Sequence, residues 1–318
     1  MRAFITGITG FTGSHLAELL IAEGAEVAGI ALDDRPPRGA DLKGCRLHKG
    51  NLSAGDALER ALMESAPDVV FHLAAFHVPS RASGDPEGVV EHTILATVRL
   101  YEAVKALPKR PAVFLSGSAV VYGRVPEANL PVKEDRPIDP LTAYGVGKAA
   151  QELYARQYRE NYGVRMFLSR TFNSAGPRQS TEFFLSRLCH EIAKRERDDS
   201  DEAVEMWDLD VERDFLDVRD TVRAYRLLVA ADKAEGIAVN VCLGKPVRLR
   251  EVVELAGSLA KRKVQFVSRK ADHPPSQGER IYGDPGILKK LTGFEPRFSL
   301  SDTLSDTLEY HRLMLSAG

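Results

Sequence analysis

A glycine loop directly after a short apolar strand constrains the fold of this chain more than any other feature. The run from Arg2 to Thr6 predicts a strand, the loop Thr6-Gly7-Ile8-Thr9-Gly10-Phe11-Thr12-Gly13 follows, and apolar spacing over 14–23 predicts a helix. In this context the glycines indicate a loop that binds a dinucleotide through backbone N–H groups and a helix N-terminus. We expect Gly7 to permit the tight turn, Gly10 to let the pyrophosphate approach, and Gly13 to let the helix pack close to the sheet.

Strand and helix patterns alternate through the first half of the chain. Predicted strands cover 25–30, 46–49, 69–73, 113–116 and 164–169, and predicted helices cover 54–65, 87–107 and 142–162. This alternation predicts an α/β fold, a Rossmann-type doubly wound parallel sheet.

The pattern loosens after residue 171. Helices are predicted near 181–195, 219–231, 248–260 and 300–314, with short strands at 239–242 and 264–267. We therefore predict an NAD(P)-binding Rossmann domain over 1–171 and a smaller C-terminal α/β substrate-binding region over 172–318, from which some elements return to the sheet.

Composition narrows the class of partner. The chain has 318 residues, 44% of them hydrophobic, and a formal net charge of −2, which argues against nucleic acid or an anionic membrane as the main partner. Cys45, Cys189 and Cys242 are too few and too widely spaced for a disulfide framework or zinc ligands, so we expect reduced thiols and no metal. The sequence offers no signal-peptide pattern before the glycine loop and no apolar run long enough for a membrane span, so we expect a cytoplasmic protein.

Tyr144 and Lys148 are the strongest catalytic candidates. They are four residues apart in a predicted helix, so the phenol and the ammonium lie on one face, and Ser118 precedes them at the end of a predicted strand. A nearby cation and a positively charged nicotinamide favour the phenolate, which brings a tyrosine toward a working pH as a general acid or base. On its position alone, Ser118 fits a turn serine equally well.

Together these motifs resemble the extended short-chain dehydrogenase/reductases, the epimerase/dehydratase family that acts on nucleotide-linked sugars. The resemblance is carried by Gly7-x-x-Gly10-x-x-Gly13, by Phe71-His72-Leu73-Ala74-Ala75 and by Ser118 with Tyr144-x-x-x-Lys148. Segments 170–173, 176–180 and 213–220 are most similar to the GDP-sugar reductases and dehydratases of that family. The resemblance implies hydride transfer at C4 of the sugar, with Ser118, Tyr144 and Lys148 as catalytic residues.

The resemblance also implies two sets of binding residues. The cofactor set is Gly7, Thr9, Gly10, Phe11, Thr12, Gly13, Asp33, Arg35, Asn51, Leu52, Leu73, Ala74, Ala75, Tyr144, Lys148 and Thr171. The substrate set is His77, Ser118, Asn173, Arg178, Gln179 and Arg213. For Arg213 the alternative is a surface salt bridge with Asp214 or Glu212, and a lone histidine such as His77 is more often packed or solvated.

Departures from the family pattern separate the possible reactions. Dehydratases of this family commonly carry an acid and a base one and two positions after the serine, where this chain has Ala119 and Val120. Neither side chain transfers a proton, which disfavours a dehydratase and leaves a reductase, or alternatively an epimerase of the UDP-glucose 4-epimerase type with retained NAD. A cofactor-sensing binding protein on the same fold is a third possibility. Near the C-terminus, Pro274 stands where GDP-sugar relatives carry an arginine, which weakens the GDP assignment.

Cofactor choice depends on the end of the second predicted strand. An acidic residue there selects NAD through the adenosine ribose, and an arginine accommodates the phosphate of NADP. Asp33 and Arg35 offer both readings, and we favour NAD over NADP. The family resemblance further implies a homodimer in which the helices near 87–107 and 142–162 form a four-helix bundle with those of a second copy.

Overall fold

The computed structural model describes residues 1–33, 35–75, 84–269 and 278–316. Its strands are β1 (Arg2–Thr6), β2 (Glu26–Ala31), β3 (Cys45–Lys49), β4 (Val69–His72), β5 (Ala112–Ser118), β6 (Met166–Thr171), β7 (Asn173–Ala175), β8 (Val204–Trp207), β9 (Glu212–Asp217), β10 (Ala238–Val241), β11 (Pro246–Arg248), β12 (Phe266–Arg269) and β13 (Arg280–Ile281). Its helices are α1 (Phe11–Ala22), α2 (Ala57–Ser65), α3 (Pro86–Val89, a π-helical segment Val90–Leu95, and Ala96–Ala106), α4 (Ala143–Tyr162), α5 (Phe184–Asp198), α6 (Val218–Ala230), α7 (Leu249–Ser258), α8 (Gly286–Thr292) and α9 (Leu300–Ser316). Short 3₁₀ turns cover Ala119–Tyr122, Glu127–Asn129 and Asp232–Ala234.

A seven-stranded parallel sheet forms the centre, in the order β10-β6-β5-β4-β1-β2-β3. The order reverses between β1 and β4, because the chain builds outward to β3 on one side before it crosses to β4 on the other. Helices that leave β1 and β4 in opposite directions leave a crevice beyond the carboxyl ends of these strands, which is where ligands bind in such sheets. The predicted Rossmann-type α/β fold is confirmed.

The sheet is buried on both faces because side chains alternate along each strand. Ile5 packs with Leu16 of α1 and Leu228 of α6 on one face, whereas Phe4 packs with residues of α2 and α3 on the other. α6 and β10 come from the second half of the chain, yet they complete the core of this sheet. The predicted boundary at residue 171 therefore divides the sequence at a point where the packing is continuous.

The remaining C-terminal elements form a smaller layer above the crevice. β9 is the central strand there, pairing with β7 and β13 in parallel and with β11 in antiparallel, and β8 pairs with β12. α5, α7 and α9 cover these strands through an apolar cluster that includes Leu188, Val252 and Leu304. β9 thus lies directly beside the crevice.

β9 shows why the sequence patterns did not predict part of this region. Its central residue Asp214 is fully buried, and its carboxylate accepts hydrogen bonds from the backbone N–H groups of Leu243, Gly244 and Gly283. A charged residue at a buried strand position removes the apolar alternation on which the prediction depended. The predictions also missed β7, β8, β11, β13 and α8, which are short.

Two further features concern the whole described chain. Cys45, Cys189 and Cys242 are free thiols, the last two buried. In the ranges that the structure describes, no helix combines the length and apolarity needed to cross a membrane, and no three metal-ligating side chains cluster together.

Candidate active site

One large cleft occupies the crevice between β1 and β4 and continues beneath β8 and β9. Its volume is about 990 Å³, and it is bordered at one end by the glycine loop and at the other by β9. Most of the predicted site residues line it: Gly7, Thr9, Gly10, Phe11, Thr12, Gly13, Asp33, Asn51, Leu52, Leu73, Ala74, Ala75, Ser118, Tyr144, Lys148, Thr171, Asn173, Arg178, Gln179 and Arg213. The cleft therefore brings the two predicted binding sets together.

The glycine loop adopts a conformation that its glycines make possible. Gly7 has φ +72°, a left-handed conformation that costs a residue with a Cβ more than glycine. A Cβ on Gly13 would lie 2.2 Å from the Gly7 carbonyl oxygen, so the folded loop itself excludes a side chain there. Gly13 belongs to α1, and Gly7 directly follows β1, so this glycine lets the helix lie close to the end of the strand, as expected.

Helix α1 begins earlier than its apolar pattern predicted. It starts at Phe11, with Gly10 as the N-cap, and no side chain bonds the N-cap end. The first N–H groups of the helix therefore keep their donor capacity at the border of the cleft. That arrangement suits an anion such as a pyrophosphate.

At the adenosine end, Asp33 and Arg35 bind one another. The Arg35 guanidinium donates to the Asp33 carboxylate, with Nη2–Oδ2 at 2.6 Å, and this hydrogen bonding lowers the pKa of Asp33 to about 2. Asp33 lines the cleft, whereas the Arg35 side chain is 85% exposed and lies outside the lining. The two opposing readings of this loop thus belong to one ion pair. Asn51 closes the next loop, accepting from the Ser53 hydroxyl at 2.8 Å.

The end of β4 is held by side chains beneath the cleft. The Thr6 hydroxyl accepts from the backbone N–H groups of Leu73 and Ala74. His72 is fully buried, and its ring bonds the hydroxyls of Thr6 at 2.8 Å and Thr97 at 2.9 Å. These contacts give His72 a structural role and present the backbone of Leu73 to Ala75 to the cofactor end. His77, which we predicted beside the substrate, lies outside the described residues.

Helix α4 carries Tyr144 and Lys148, and its local sequence explains their position. Thr142 caps the helix by accepting from the Gly145 N–H at 3.1 Å, which starts the helix one residue before Tyr144. A Cβ on Gly147 would lie 2.7 Å from Val89 of α3. The glycine between the two catalytic candidates therefore lets α3 and α4 approach closely.

Lys148 points beneath Tyr144 into the cleft. Its Nζ donates to the Ser116 carbonyl oxygen at 2.9 Å and lies 5.9 Å from the centre of the Tyr144 ring. Burial lowers the pKa of Lys148 to about 8. The lysine is thus still mainly a cation at neutral pH.

Protein groups alone do not make Tyr144 acidic. Burial raises the pKa of its phenol to about 12, although a hydrogen bond with Ser118 acts in the opposite direction. Our expectation of a lowered pKa from the neighbouring lysine is not met by these groups, because desolvation outweighs them. The positive charge of an oxidised nicotinamide is the further contribution that the chemistry requires.

Ser118 has two roles at the end of β5. Its Oγ accepts from the Val120 N–H at 3.3 Å, which caps the short 3₁₀ turn Ala119–Tyr122, and its side chain acts to lower the pKa of the Tyr144 phenol. The two readings of this serine, turn residue and catalytic candidate, therefore coexist. The side chains of Ala119 and Val120, which follow it, are apolar.

Tyr225 is a cleft residue that the sequence patterns did not identify. It comes from α6, and its hydroxyl bonds Ser116 Oγ at 3.0 Å and Thr171 Oγ1 at 2.8 Å. It is buried beneath the catalytic candidates, and its charge interaction contributes to the raised pKa of Tyr144. Nothing in the spacing of α6 distinguishes this residue from a core tyrosine.

Arg213 faces the substrate end of the cleft as a partly buried cation. Among the described residues its guanidinium donates to the backbone carbonyls of Glu212, Gly278 and Glu279. The negative charge of Asp208, which also lines the cleft, acts on it. Within the described ranges neither Asp214 nor Glu212 forms an ion pair with it, so the alternative reading as a salt bridge does not hold. Burial lowers its pKa to about 10, and the charge of Asp208 acts in the opposite direction.

The other predicted substrate residues differ in how they are held. Asn173 donates to the Asp214 carbonyl at 3.0 Å, and Gln179 donates to the Ser174 carbonyl at 2.7 Å. The Gln179 Oε1 is buried without a hydrogen-bond partner among the described residues. Arg178 borders the cleft, but its guanidinium is engaged by Glu18 of α1.

The residues present fit a nicotinamide dinucleotide. A Cβ on Gly10 would meet no atom within 4 Å except the Gly7 carbonyl oxygen at 3.1 Å, so the cleft side of the loop is open. Asp33 and Asn51 line the adenosine end, and Tyr144 and Lys148 line the opposite end of the same cleft. The glycine loop would hold the pyrophosphate between them.

Known proteins share both the sequence and this architecture. Residues 4–307 match the family model described as GDP-mannose 4,6 dehydratase. The chain is 31% identical over 303 residues to GDP-6-deoxy-D-mannose reductase of Pseudomonas aeruginosa, covering 95% of this chain and 94% of that protein.

Two solved structures have the same fold over nearly their full length. RMD from Pseudomonas aeruginosa complexed with NADPH superposes with a TM-score of 0.87 at 28% identity, covering 99% of this chain and 100% of that one. UDP-glucose 4-epimerase of Thermus thermophilus in complex with NAD gives a TM-score of 0.87 at 26% identity, covering 98% and 99%. The matched length and the shared fold show that the chain belongs to the GDP-mannose 4,6-dehydratase family and is an NAD(P)-dependent short-chain dehydrogenase/reductase.

Proposed function

We propose that this enzyme reduces the C4 carbonyl of a nucleotide-linked 4-keto-6-deoxy sugar, a proposal that the similarity to GDP-6-deoxy-D-mannose reductase supports. The observation that carries the proposal is the arrangement of Ser118, Tyr144 and Lys148 in the cleft that also holds the glycine loop. Ala119 and Val120 support it, since a dehydration would need an acid and a base near them.

Each catalytic side chain has a separate task in this reaction. A bound reduced nicotinamide supplies the hydride. Tyr144 donates its proton to the carbonyl oxygen as the alcohol forms, and Ser118 donates a hydrogen bond to that oxygen. Lys148, held by the Ser116 carbonyl, provides positive charge beneath the phenol and stabilises the phenolate left behind.

The substrate phosphates would bind at Arg213. The guanidinium is partly buried and donates to backbone carbonyls among the described residues, so its positive charge remains available to a diphosphate, although the nearby Asp208 opposes an anion. Asn173 and Gln179 would then contact the sugar or its phosphates from the same wall of the cleft.

For the cofactor, we propose a preference for NAD over NADP that Asp33 sets. Its carboxylate stays ionised at all working pH values and borders the cleft. It would therefore accept hydrogen bonds from the hydroxyls of the adenosine ribose and repel a 2′-phosphate. Arg35 acts against this preference. Titration of the protein with NADH and NADPH tests it, and Asp33→Ser is expected to shift the preference toward NADPH.

The alternative is a nucleotide-sugar epimerase with retained NAD. The specific observation in its favour is that the Thermus thermophilus epimerase fits as well as RMD, with the same TM-score of 0.87. Incubation with GDP-4-keto-6-deoxy-D-mannose and NADH or NADPH separates the two. Stoichiometric loss of reduced nicotinamide absorbance supports the reductase, whereas interconversion of a sugar nucleotide without added cofactor supports the epimerase.

We also propose a homodimer through α3 and α4, which would pair with the same helices of a second copy. These helices expose several large apolar side chains, Val90 (55%), Leu95 (41%), Val146 (52%), Leu153 (56%) and Tyr154 (39%). Light scattering is expected to give the mass of a dimer, and Leu153→Glu is expected to give a monomer. A monomer for the wild-type protein would contradict the proposal.

A further inference from the structure

Trp207 is the only tryptophan in the chain, and its side chain is not part of the hydrophobic core. Side chains alternate along β8, so Val204 and Met206 enter the core while Glu205 and Trp207 face outward. The Trp207 side chain ends the strand, borders the cleft, and is 39% exposed. An exposed indole at a cleft wall offers a large flat surface that the core does not use.

Arg187 supports this ring from outside the cleft. It lies in the first turn of α5, with its Cζ 4.6 Å from the centre of the Trp207 ring. Trp207 lines the cleft and Arg187 does not, so the guanidinium leaves the cleft side of the indole uncovered. In the described part of the chain no ion pair binds Arg187, and its guanidinium lies over the indole ring.

The indole and the Arg213 guanidinium stand at the two ends of one short connection. β8 ends at Trp207, β9 begins at Glu212, and both Trp207 and Arg213 border the same cleft. The apolar side chains of Val211 and Leu249 border the same cleft, as does Asp208. A ligand that places a planar aromatic group on the indole and an anion beside Arg213 matches this pattern.

We propose that Trp207, supported by Arg187, is the stacking platform for the nucleobase of the substrate, and that it favours a purine. The inference rests on the proposed function, which makes the substrate a nucleoside diphosphate sugar. Every base has a π-face, but a purine covers more of an indole than a pyrimidine does, so the platform discriminates by area. The bound cofactor does not compete, because its predicted residues lie at the opposite end of the cleft.

The single tryptophan permits a direct test without turnover. Full-length protein is titrated with GDP, with UDP and with inorganic pyrophosphate while the tryptophan emission is followed, and each affinity is measured independently by calorimetry. We expect saturable quenching by GDP, weaker binding and quenching by UDP, and no quenching by pyrophosphate. Trp207→Leu is expected to weaken GDP binding by about tenfold or more and to leave pyrophosphate binding unchanged. Trp207→Phe should restore most of the GDP affinity.

Two results would overturn the inference. One is GDP binding by calorimetry without a change in emission and with equal affinity in Trp207→Leu. The other is no binding of either nucleoside diphosphate to a protein whose far-UV circular dichroism shows it to be folded. Tyr144→Phe separates the inference from the proposed function, since it should abolish hydride transfer and leave GDP binding and quenching unchanged.

Discussion

Arg178 and Glu18 form a bidentate ion pair that joins the substrate side of the cleft to the cofactor side. The Nη1–Oε1 and Nη2–Oε2 distances are both 2.6 Å, and the Arg178 side chain is 4% exposed. Arg178 follows β7, whereas Glu18 belongs to α1, whose first turn contains the end of the glycine loop. The pair therefore holds the loop after β7 against α1, the helix whose N-terminus we propose for the cofactor phosphates.

Replacing Arg178 is expected to destabilise the protein through two separable effects. Arg178→Ala leaves a partly buried carboxylate without its cation, which costs about 2 kcal/mol or more in the free energy of unfolding. Arg178 also has φ +72°, so Arg178→Gly, which loses the same ion pair but accepts this backbone conformation, should be more stable than Arg178→Ala by about 1 kcal/mol. Urea unfolding of the two variants and the wild type measures both effects. Equal stability of the alanine and glycine variants would show that the backbone carries no strain.

Lys148→Met is expected to abolish hydride transfer while making the protein more stable at neutral pH. Burial lowers the pKa of Lys148 from 10.5 to about 8, so the folded state disfavours its charged form. The penalty is present below pH 8 and disappears as the pH rises toward 10.5, because the lysine is then neutral in both states. A gain of about 1–2 kcal/mol remains after the lost hydrogen bond to Ser116 is subtracted.

Chemical unfolding of wild type and Lys148→Met between pH 7 and 10 checks this sign. The difference in stability should shrink as the pH rises. A variant less stable than wild type at pH 7, with a difference that does not depend on pH, would mean that the lysine is not held in a desolvated state.

Arg213→Met is expected to act on substrate affinity and spare the fold. Removing this partly buried cation, which donates to carbonyls among the described residues, should change the free energy of unfolding by less than about 1 kcal/mol, because relief of its desolvation offsets the lost hydrogen bonds. The KM for the nucleotide sugar should rise by about tenfold or more, with a smaller change in kcat. Arg213→Lys keeps the positive charge but not the planar guanidinium. Its KM for the nucleotide sugar should lie between those of the wild type and Arg213→Met. Steady-state kinetics with unchanged KM in Arg213→Met would remove Arg213 from the substrate site.

His72 makes the stability of the protein depend on pH on the acid side of neutrality. Burial, and secondarily the Lys148 charge, lowers the pKa of His72 from 6.5 to about 3. The unfolded chain therefore binds a proton that the folded protein does not, and the stabilisation is lost as the pH falls from 6.5 toward 3. His15 and His311 share this direction, with pKa values of about 4, because both are buried.

The test is the slope of unfolding free energy against pH between 6 and 4 in wild type and His72→Gln. The variant is expected to lose stability less steeply, even if it starts lower. Burial raises the pKa of Asp214 to about 6, so this residue changes the unfolding free energy with pH in the direction opposite to His72. Its contribution is the same in the wild type and in His72→Gln and cancels in the comparison. Identical slopes would show that His72 is not kept neutral in the folded state.

Sequence patterns predicted the structure well where apolar periodicity or a local motif marks an element. The apolar strands β1 to β6 and the helices between them follow from spacing alone, and the glycine loop with Tyr144 and Lys148 follows from local motifs. The ends of the elements were predicted less accurately, since α1 begins at Phe11, within the glycine motif, rather than at Ser14.

The substrate end depended on tertiary contacts that no local pattern carries. Arg178 and Arg213 both looked like cleft cations in the sequence. In the structure, Glu18, 160 residues away in the chain, engages Arg178, whereas in the described ranges backbone carbonyls accept hydrogen bonds from Arg213. Tyr225 and Trp207 reach the cleft because of how α6 and β8 pack. Burial of Asp214 in β9 likewise could not be read from charge patterning, because its partners are backbone N–H groups of distant residues.

The most direct test of the account is to follow the hydride itself. Purified protein is incubated with GDP-4-keto-6-deoxy-D-mannose and NADH or NADPH deuterated at C4 of the nicotinamide, and the sugar nucleotide is analysed by mass spectrometry. We expect a 4-hydroxy product that carries one deuterium at the sugar C4, formed in step with cofactor oxidation and reduced at least about 100-fold in Tyr144→Phe. A product without deuterium, or undiminished turnover in Tyr144→Phe, would contradict the assignment of Tyr144 as the proton donor in a nicotinamide-dependent reduction.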